Sequence, residues 1–216
     1  MFFRSNGLAW LIAAAALTWS LPHSARAAGD PVAGDPAAGQ KKFYTCYGCH
    51  GIENYKNAYP DYSVPKLRHQ SAEYIVAALQ EYRAGERPHP TMHAQAWSLS
   101  DQDIADIAAY LQGPEPVKPG AAAVGAAPKE VTACGACHGA SGLGVDAPLT
   151  PKPPVLAGQH EDYLEQALFA YRNGRRQNVV MNGMAKLLTT DEDVKTAAAY
   201  FASQPSPLAT ATTHSK

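Results

Sequence analysis

The sequence predicts an all-α protein built from two tandem domains related by internal duplication. Three observations carry this. The six residues CYGCHG at 46–51 return as CGACHG at 134–139. The stretch YIVAALQEYRAG at 74–85 returns as YLEQALFAYRNG at 163–174. No segment of either copy sustains the apolar–polar alternation of a half-buried strand.

The elements follow in order. Ser71 is a natural N-cap for a helix whose apolar face is Ile75, Leu79 and Tyr82, and Gly85 ends it. Ser100, with Asp103 three residues on, opens the last helix of the first copy as a box-like start. Ile104, Ile107, Ala108 and Leu111 line one face of that helix. Thr190 and Asp193 take the same parts in the second copy. The offset between copies is 88 at the cysteines, 89 through the middle helix and 90 at the last helix, where Tyr110 matches Tyr200. Between them GPEPVKPGAAAVGAAP holds four prolines and no apolar period, the composition of a short, partly stiffened Pro/Ala/Gly linker. The expected limits are 28–113 for the first domain, 114–128 for the linker and 129–216 for the second domain. A linker this short places the two side by side.

The first 27 residues read as a secretory signal peptide. Arg4 supplies a basic start, Leu8 to Leu17 an uncharged apolar run, and Ala25-Arg26-Ala27 a cleavage pattern. The run is shorter than the ~20 residues of a spanning helix. Removing Arg4 and Arg26 from the 18 basic residues leaves 16 against 19 acidic ones. There is no basic stripe for nucleic acid and no charge block for a membrane surface.

All four cysteines of the chain lie in the two C-x-x-C pairs, each followed directly by histidine. This is the pattern of covalent haem attachment. Two thiols add across the porphyrin's vinyl groups, and an imidazole on the same helical turn reaches the iron. Cys46, Cys49, Cys134 and Cys137 are thus the expected attachment points for two haem c groups, with His50 and His138 as proximal ligands. A four-cysteine zinc site, a thioredoxin-like pair and two disulfides are the competing readings. None of them calls for a histidine at the same place in both copies.

The second axial position separates electron transfer from catalysis. Met92 is the one methionine after the attachment site in the first copy, and an offset of 89 lands on Met181. Met184 is the rival, standing where the first copy has Gln95. His89 and His93 offer a bis-histidine alternative, but Asn178 and Asn182 occupy those places in the second copy. A thioether opposite an imidazole raises the reduction potential relative to two imidazoles. It also fills the iron's coordination sphere, which favours single-electron transfer over peroxide or oxygen chemistry. Pro65 and Pro154 have carbonyls that could hold the proximal histidines' other ring nitrogen. Tyr82 and Tyr171 are candidates for the haem edge. Glu53, Lys56 and Arg68 are candidates for propionate contacts, with no motif to support them.

The tandem C-x-x-C-H pairs, the P-x-L…Y…Y-R-x-G run before a methionine, and the following S/T-D-x-D resemble the dihaem cytochrome c4 family. The resemblance covers residues 37 to about 204, with VLAGQHEDYLEQAL and MNGMAKLL the nearest stretches. It implies two class I cytochrome c folds packed with their haem propionates near each other. It also implies a periplasmic electron carrier, not an enzyme. Its partners would be redox proteins: a quinol-oxidising complex or dehydrogenase upstream and a terminal oxidase downstream, with peripheral membrane association left open. The alternatives are an electron-transfer subunit of a larger dehydrogenase and a dihaem peroxidase. Two departures stand out. The first copy has VPKLRHQ where the family favours an LAGQ-like run. The second copy has Ala127 and Val131, with Pro128 between, in place of Gly39 and Phe43, so its first helix should be short.

Overall fold

A computed structural model describes residues 32–58, 61–149 and 151–212; the expected signal peptide lies outside them. The first half contains α1 (Pro36–Lys42), a 3-10 turn (Phe43–Cys46), α2 (Tyr47–His50), α3 (Ala72–Ala84), α4 (Pro90–Ala96) and α5 (Asp101–Gln112). The second contains a 3-10 turn (Lys129–Val131), α6 (Gly135–His138), α7 (Glu161–Arg172), α8 (Val179–Ala185) and α9 (Asp191–Ala202). Extended pairing among the described residues is confined to two isolated bridges, so the all-α class holds.

The helix ends follow the local chemistry. The Ser71 hydroxyl accepts the Tyr74 N–H, and Gly85 closes α3 in the left-handed region at φ 78°. Both last helices open on a complete capping box, Ser100 with Asp103 and Thr190 with Asp193. Ile75, Ala78 and Tyr82 of α3 pack towards Ile104, Ile107 and Leu111 of α5, all buried. In the second half Tyr163 and Leu164 of α7 meet Val194, Ala198 and Phe201 of α9.

The halves differ at their starts. In the first, α1 crosses α5 so closely that a Cβ on Gly39 would stand 1.9 Å from the Asp106 carbonyl oxygen. Asp106 in turn accepts from the Asp35 N–H and the Lys42 ammonium, fastening α1 at both ends. The second half, with no counterpart of Gly39, keeps only the 3-10 turn that buries Val131.

The two halves are joined by a reciprocal exchange of side-chain amides. Gln70 donates to the Val155 carbonyl at 3.0 Å and accepts the Val155 N–H at 2.8 Å. Gln159 does the same for Lys66, accepting its N–H at 2.9 Å and donating to its carbonyl at 3.0 Å. Gln70 and Gln159 are repeat equivalents, as are Lys66 and Val155, so the interface has the self-complementarity of a twofold. Asp162 adds an asymmetric contact, accepting from the Ser63 N–H and hydroxyl and pairing with Lys56 at 2.9 Å.

The tail beyond α9 leaves the second half and returns to the first. Leu208 packs on Val155 and Ala157. Ala209 exchanges both backbone hydrogen bonds with Arg68, and the Ala211 N–H donates to the His50 carbonyl at 3.0 Å. Ala211 is buried in the first half's core beside Phe43 and Ile107. The equivalent carbonyl, that of His138, is satisfied by the Gly144 N–H of its own loop at 2.7 Å.

Two predictions follow from this packing. Gln159→Ala leaves the Lys66 N–H and carbonyl without partners in a buried interface, at a cost of about 2–4 kcal/mol. Thermal unfolding should then fall by on the order of 10 °C; an unchanged midpoint would show that the exchange contributes nothing. Gly39→Ala forces α1 off α5 and should destabilise by at least ~2 kcal/mol in denaturant titration.

Candidate functional site

The first half's 3-10 turn runs directly into α2, and the second half's Cys134 is the N-cap of α6. Each C-x-x-C-H motif therefore lies on a single helical turn, with its thiols and imidazole on neighbouring positions. No disulfide joins any of the four cysteines.

His50 and His138 are both buried. The His50 Nδ1 stands 3.0 Å from the Pro65 carbonyl oxygen, and the His138 Nδ1 stands 3.0 Å from that of Pro154. A carbonyl can only accept, so Nδ1 carries the proton and Nε2 keeps its lone pair. Burial pulls the His50 pKa down to about 4 against the opposing pull of the Pro65 carbonyl, and burial lowers His138 in the same way. Both imidazoles are thus held neutral and oriented, the state in which a histidine binds a metal.

Met92 and Met181 occupy the same position, the third residue of α4 and of α8. The N-cap of each helix accepts the methionine's N–H: His89 Nδ1 at 3.3 Å from Met92 and Asn178 Oδ1 at 2.9 Å from Met181. The next residue is also matched in role. His93 Nδ1 bonds the Tyr82 carbonyl at 2.7 Å, and Asn182 donates to the Tyr171 carbonyl at 2.6 Å. His89 and His93 therefore do the work that asparagines do in the second half. Met184 lies one turn further on, at the position of the exposed Gln95.

Arginines pin the far side of each methionine segment. Arg83 donates to the Leu99 carbonyl at 2.8 Å and to Asp101 at 2.6 Å. Arg172 bonds the Leu188 and Thr190 carbonyls and Asp191. The α3 and α7 ends are thereby tied to the starts of α5 and α9, and the short helix carrying the methionine is clamped between.

In the first half these residues surround one cavity. Cys46, Cys49, His50 and Met92 all line it, with Pro65, Leu67, Ile75, Leu79, Ile107 and Leu111 forming an apolar wall. Tyr82 lines it as the sequence suggests. Tyr163, from the other half, lines it as well, and so does Arg87. A flat apolar macrocycle with a central metal suits this lining: two thiols for tethering, a lone-paired imidazole, a thioether and a dry wall between.

Three sequence candidates lie elsewhere. Lys56 is committed to Asp162, Arg68 donates to the Tyr110 carbonyl and stacks on that ring, and Glu53 is exposed. Arg87 was not among the candidates. Its repeat partner Arg176 stands at the same offset of 89, two residues past the matched stretches that end at Gly85 and Gly174, and Gln70 and Gln159, ahead of those stretches, keep that offset too. Extending the internal alignment would have found both pairs.

The profile of the Cytochrome c family matches residues 36–113 and again residues 120–205. Cytochrome c4 of Pseudomonas aeruginosa is 34% identical over 184 residues, covering 78% of this chain and 88% of the relative. A Stutzerimonas stutzeri protein named thiosulfate dehydrogenase electron acceptor is 33% identical over 193 residues, covering 77% and 86%. The crystal structure of reduced recombinant cytochrome c4 from Pseudomonas stutzeri aligns with TM-score 0.62 at 29% identity, covering 80% of this chain and all of that one.

Proposed function

The chain belongs to the cytochrome c family as a dihaem member of the cytochrome c4 type, and from that premise we propose that it is a periplasmic shuttle whose two irons are each held between histidine and methionine. Its covalent haem c groups supply a one-electron valence change. In this reading Cys46 and Cys49, and Cys134 and Cys137, tether them. His50 with Met92, and His138 with Met181, would hold the two irons.

The observation that carries this reading is the double match at the ligands. In each half the histidine Nδ1 is bound to a proline carbonyl, and the opposing methionine is the N-capped third residue of a short helix. The proline carbonyl fixes the ring and strengthens its basicity. The arginine clamp holds the thioether's segment in place. With these side chains in place, His50 and Met92, and His138 and Met181, would hold an iron through a valence change with little rearrangement and would leave it no open position for a substrate. In this reading the chain's own residues orient the ligands, exclude water and insulate the iron.

Electrons would reach the protein from a quinol-oxidising complex or a dehydrogenase and leave for a terminal oxidase. Export by the N-terminal signal would place it in the periplasm. Among the described residues no helix is long and apolar enough to cross a membrane, which fits a mobile carrier. The relative named thiosulfate dehydrogenase electron acceptor favours a second reading, a carrier dedicated to one dehydrogenase or bound to it as a subunit. Co-purification of a larger redox subunit with the tagged native protein separates the two.

The primary experiment is mass spectrometry with a spectroscopic redox titration of the secreted protein. Two added porphyrins and two low-spin one-electron transitions are expected, and any other haem count overturns the reading. Met92→Ala and Met181→Ala should each convert about half of the haem to a high-spin form that binds carbon monoxide. Met184→Ala should leave the spectrum as it is; if Met184→Ala opens a site and Met181→Ala does not, the assignment of the second ligand is reversed.

A further inference from the structure

The two halves close the back of their histidine motifs with different stretches of chain. In the second half the loop after the motif does it. The Gly144 N–H donates to the His138 carbonyl at 2.7 Å, and the Gly142 carbonyl accepts the Ala157 N–H at 3.2 Å. In the first half the loop after His50 runs instead into a bridge between Lys56 and Ser63. The C-terminal tail takes both places. The Ala211 N–H donates to the His50 carbonyl at 3.0 Å, and the Ala209 carbonyl accepts the Arg68 N–H at 2.9 Å.

The match is residue for residue. His50 and His138 are repeat equivalents at an offset of 88, and Arg68 and Ala157 at 89. Acceptor and donor stand two positions apart in both halves, Gly142 with Gly144 and Ala209 with Ala211. The sequence shows why the first half needs a substitute. It reads GIENYK where the second reads GASGLG, which puts Lys56 in the place of Gly144. Gly144 adopts φ 96°, a backbone that glycine takes freely and lysine does not. The tail fills the gap tightly. Leu208 is 5% exposed and Ala211 0%. Ala211 packs in the cluster of Phe43, Ile107 and Leu111, and those three side chains also line the cavity that holds His50 and Met92.

We infer that Leu208–Ala211 is a positioning segment of the first redox site, completing the backbone around His50 and keeping water from behind its imidazole, so that it raises the potential of the first haem and leaves the second alone. The inference rests on the two-haem reading. Water admitted behind the ring stabilises the more positive, oxidised iron, so a dry surround favours the reduced state. The effect is one-sided because the second motif is closed by its own loop.

The test is a spectroscopic redox titration of the haem-loaded protein ending at Pro207. Ala211→Pro is the second variant, which keeps the tail but removes the N–H directed at His50. A chain ending at Thr212 retains these contacts and is the control, expected to match the parent. One midpoint should fall by about threefold in the reduction equilibrium, about 28 mV for a one-electron couple. It should belong to the haem that turns high-spin in Met92→Ala, and the other midpoint should keep its value. Hydrogen exchange read by mass spectrometry should speed up across 46–51 and not across 134–139. No fall in either midpoint, in a protein keeping two low-spin haems, overturns the inference and leaves the two-haem reading intact. A fall in both, or in the other haem alone, also overturns it. A parent protein lacking two haems overturns that reading instead. Should the shortened chain fail to accumulate, Ala211→Pro decides by the same outcomes.

Discussion

The bond from a buried histidine Nδ1 to a proline carbonyl is the constraint around which each half is arranged. It ties the motif helix to a loop 15 or 16 residues further on, His50 to Pro65 and His138 to Pro154. Proline suits the acceptor because it has no N–H to compete for a ladder or a turn. Once the ring is held, its second nitrogen has one direction to face, and the third helix, the methionine segment and the last helix close around that direction. The core is consequently built as the wall of a cavity. Leu67, Ile75, Ile107 and Leu111 present their side chains to it, and the remaining core is rich in alanine.

Duplication explains why the halves join as they do. A loop that must present a proline carbonyl inward leaves its following residues at the surface, and two such surfaces are self-complementary. Each half lends a glutamine to the other's loop, satisfying an N–H and a carbonyl that would otherwise be buried without partners. The geometry tolerates a local exception. Gly158, just before Gln159, adopts φ 64°, and His69, just before Gln70, adopts φ 63°. A Cβ at Gly158 would stand 2.8 Å from the Ser206 side chain, so the second half keeps glycine there, whereas the first half holds a histidine in the left-handed region.

Asymmetry enters where the halves lack equivalent sequence. The first half has α1 locked onto α5 through Gly39, and it borrows the chain's C-terminal tail to satisfy the His50 carbonyl. The second half has neither and closes that carbonyl with its own loop. The two histidine motifs therefore share the bond to a proline carbonyl and differ in what lies behind the imidazole.

Much of this was legible without coordinates, because it is written in spacing. The C-x-x-C-H pairs, the caps at Ser71, Ser100 and Thr190, the methionines at one offset and the proline carbonyls all act within a few turns of chain or repeat in both copies. What required the tertiary structure was everything that crosses between halves: the glutamine exchange, the returning tail and Tyr163 in the first half's cavity. A side chain's partner across an interface leaves no period in the sequence, since it depends on how two surfaces are rotated against each other. The distinction is one of range. Covalent spacing decides which groups can meet on one helical turn, and only packing decides which distant groups are left buried together.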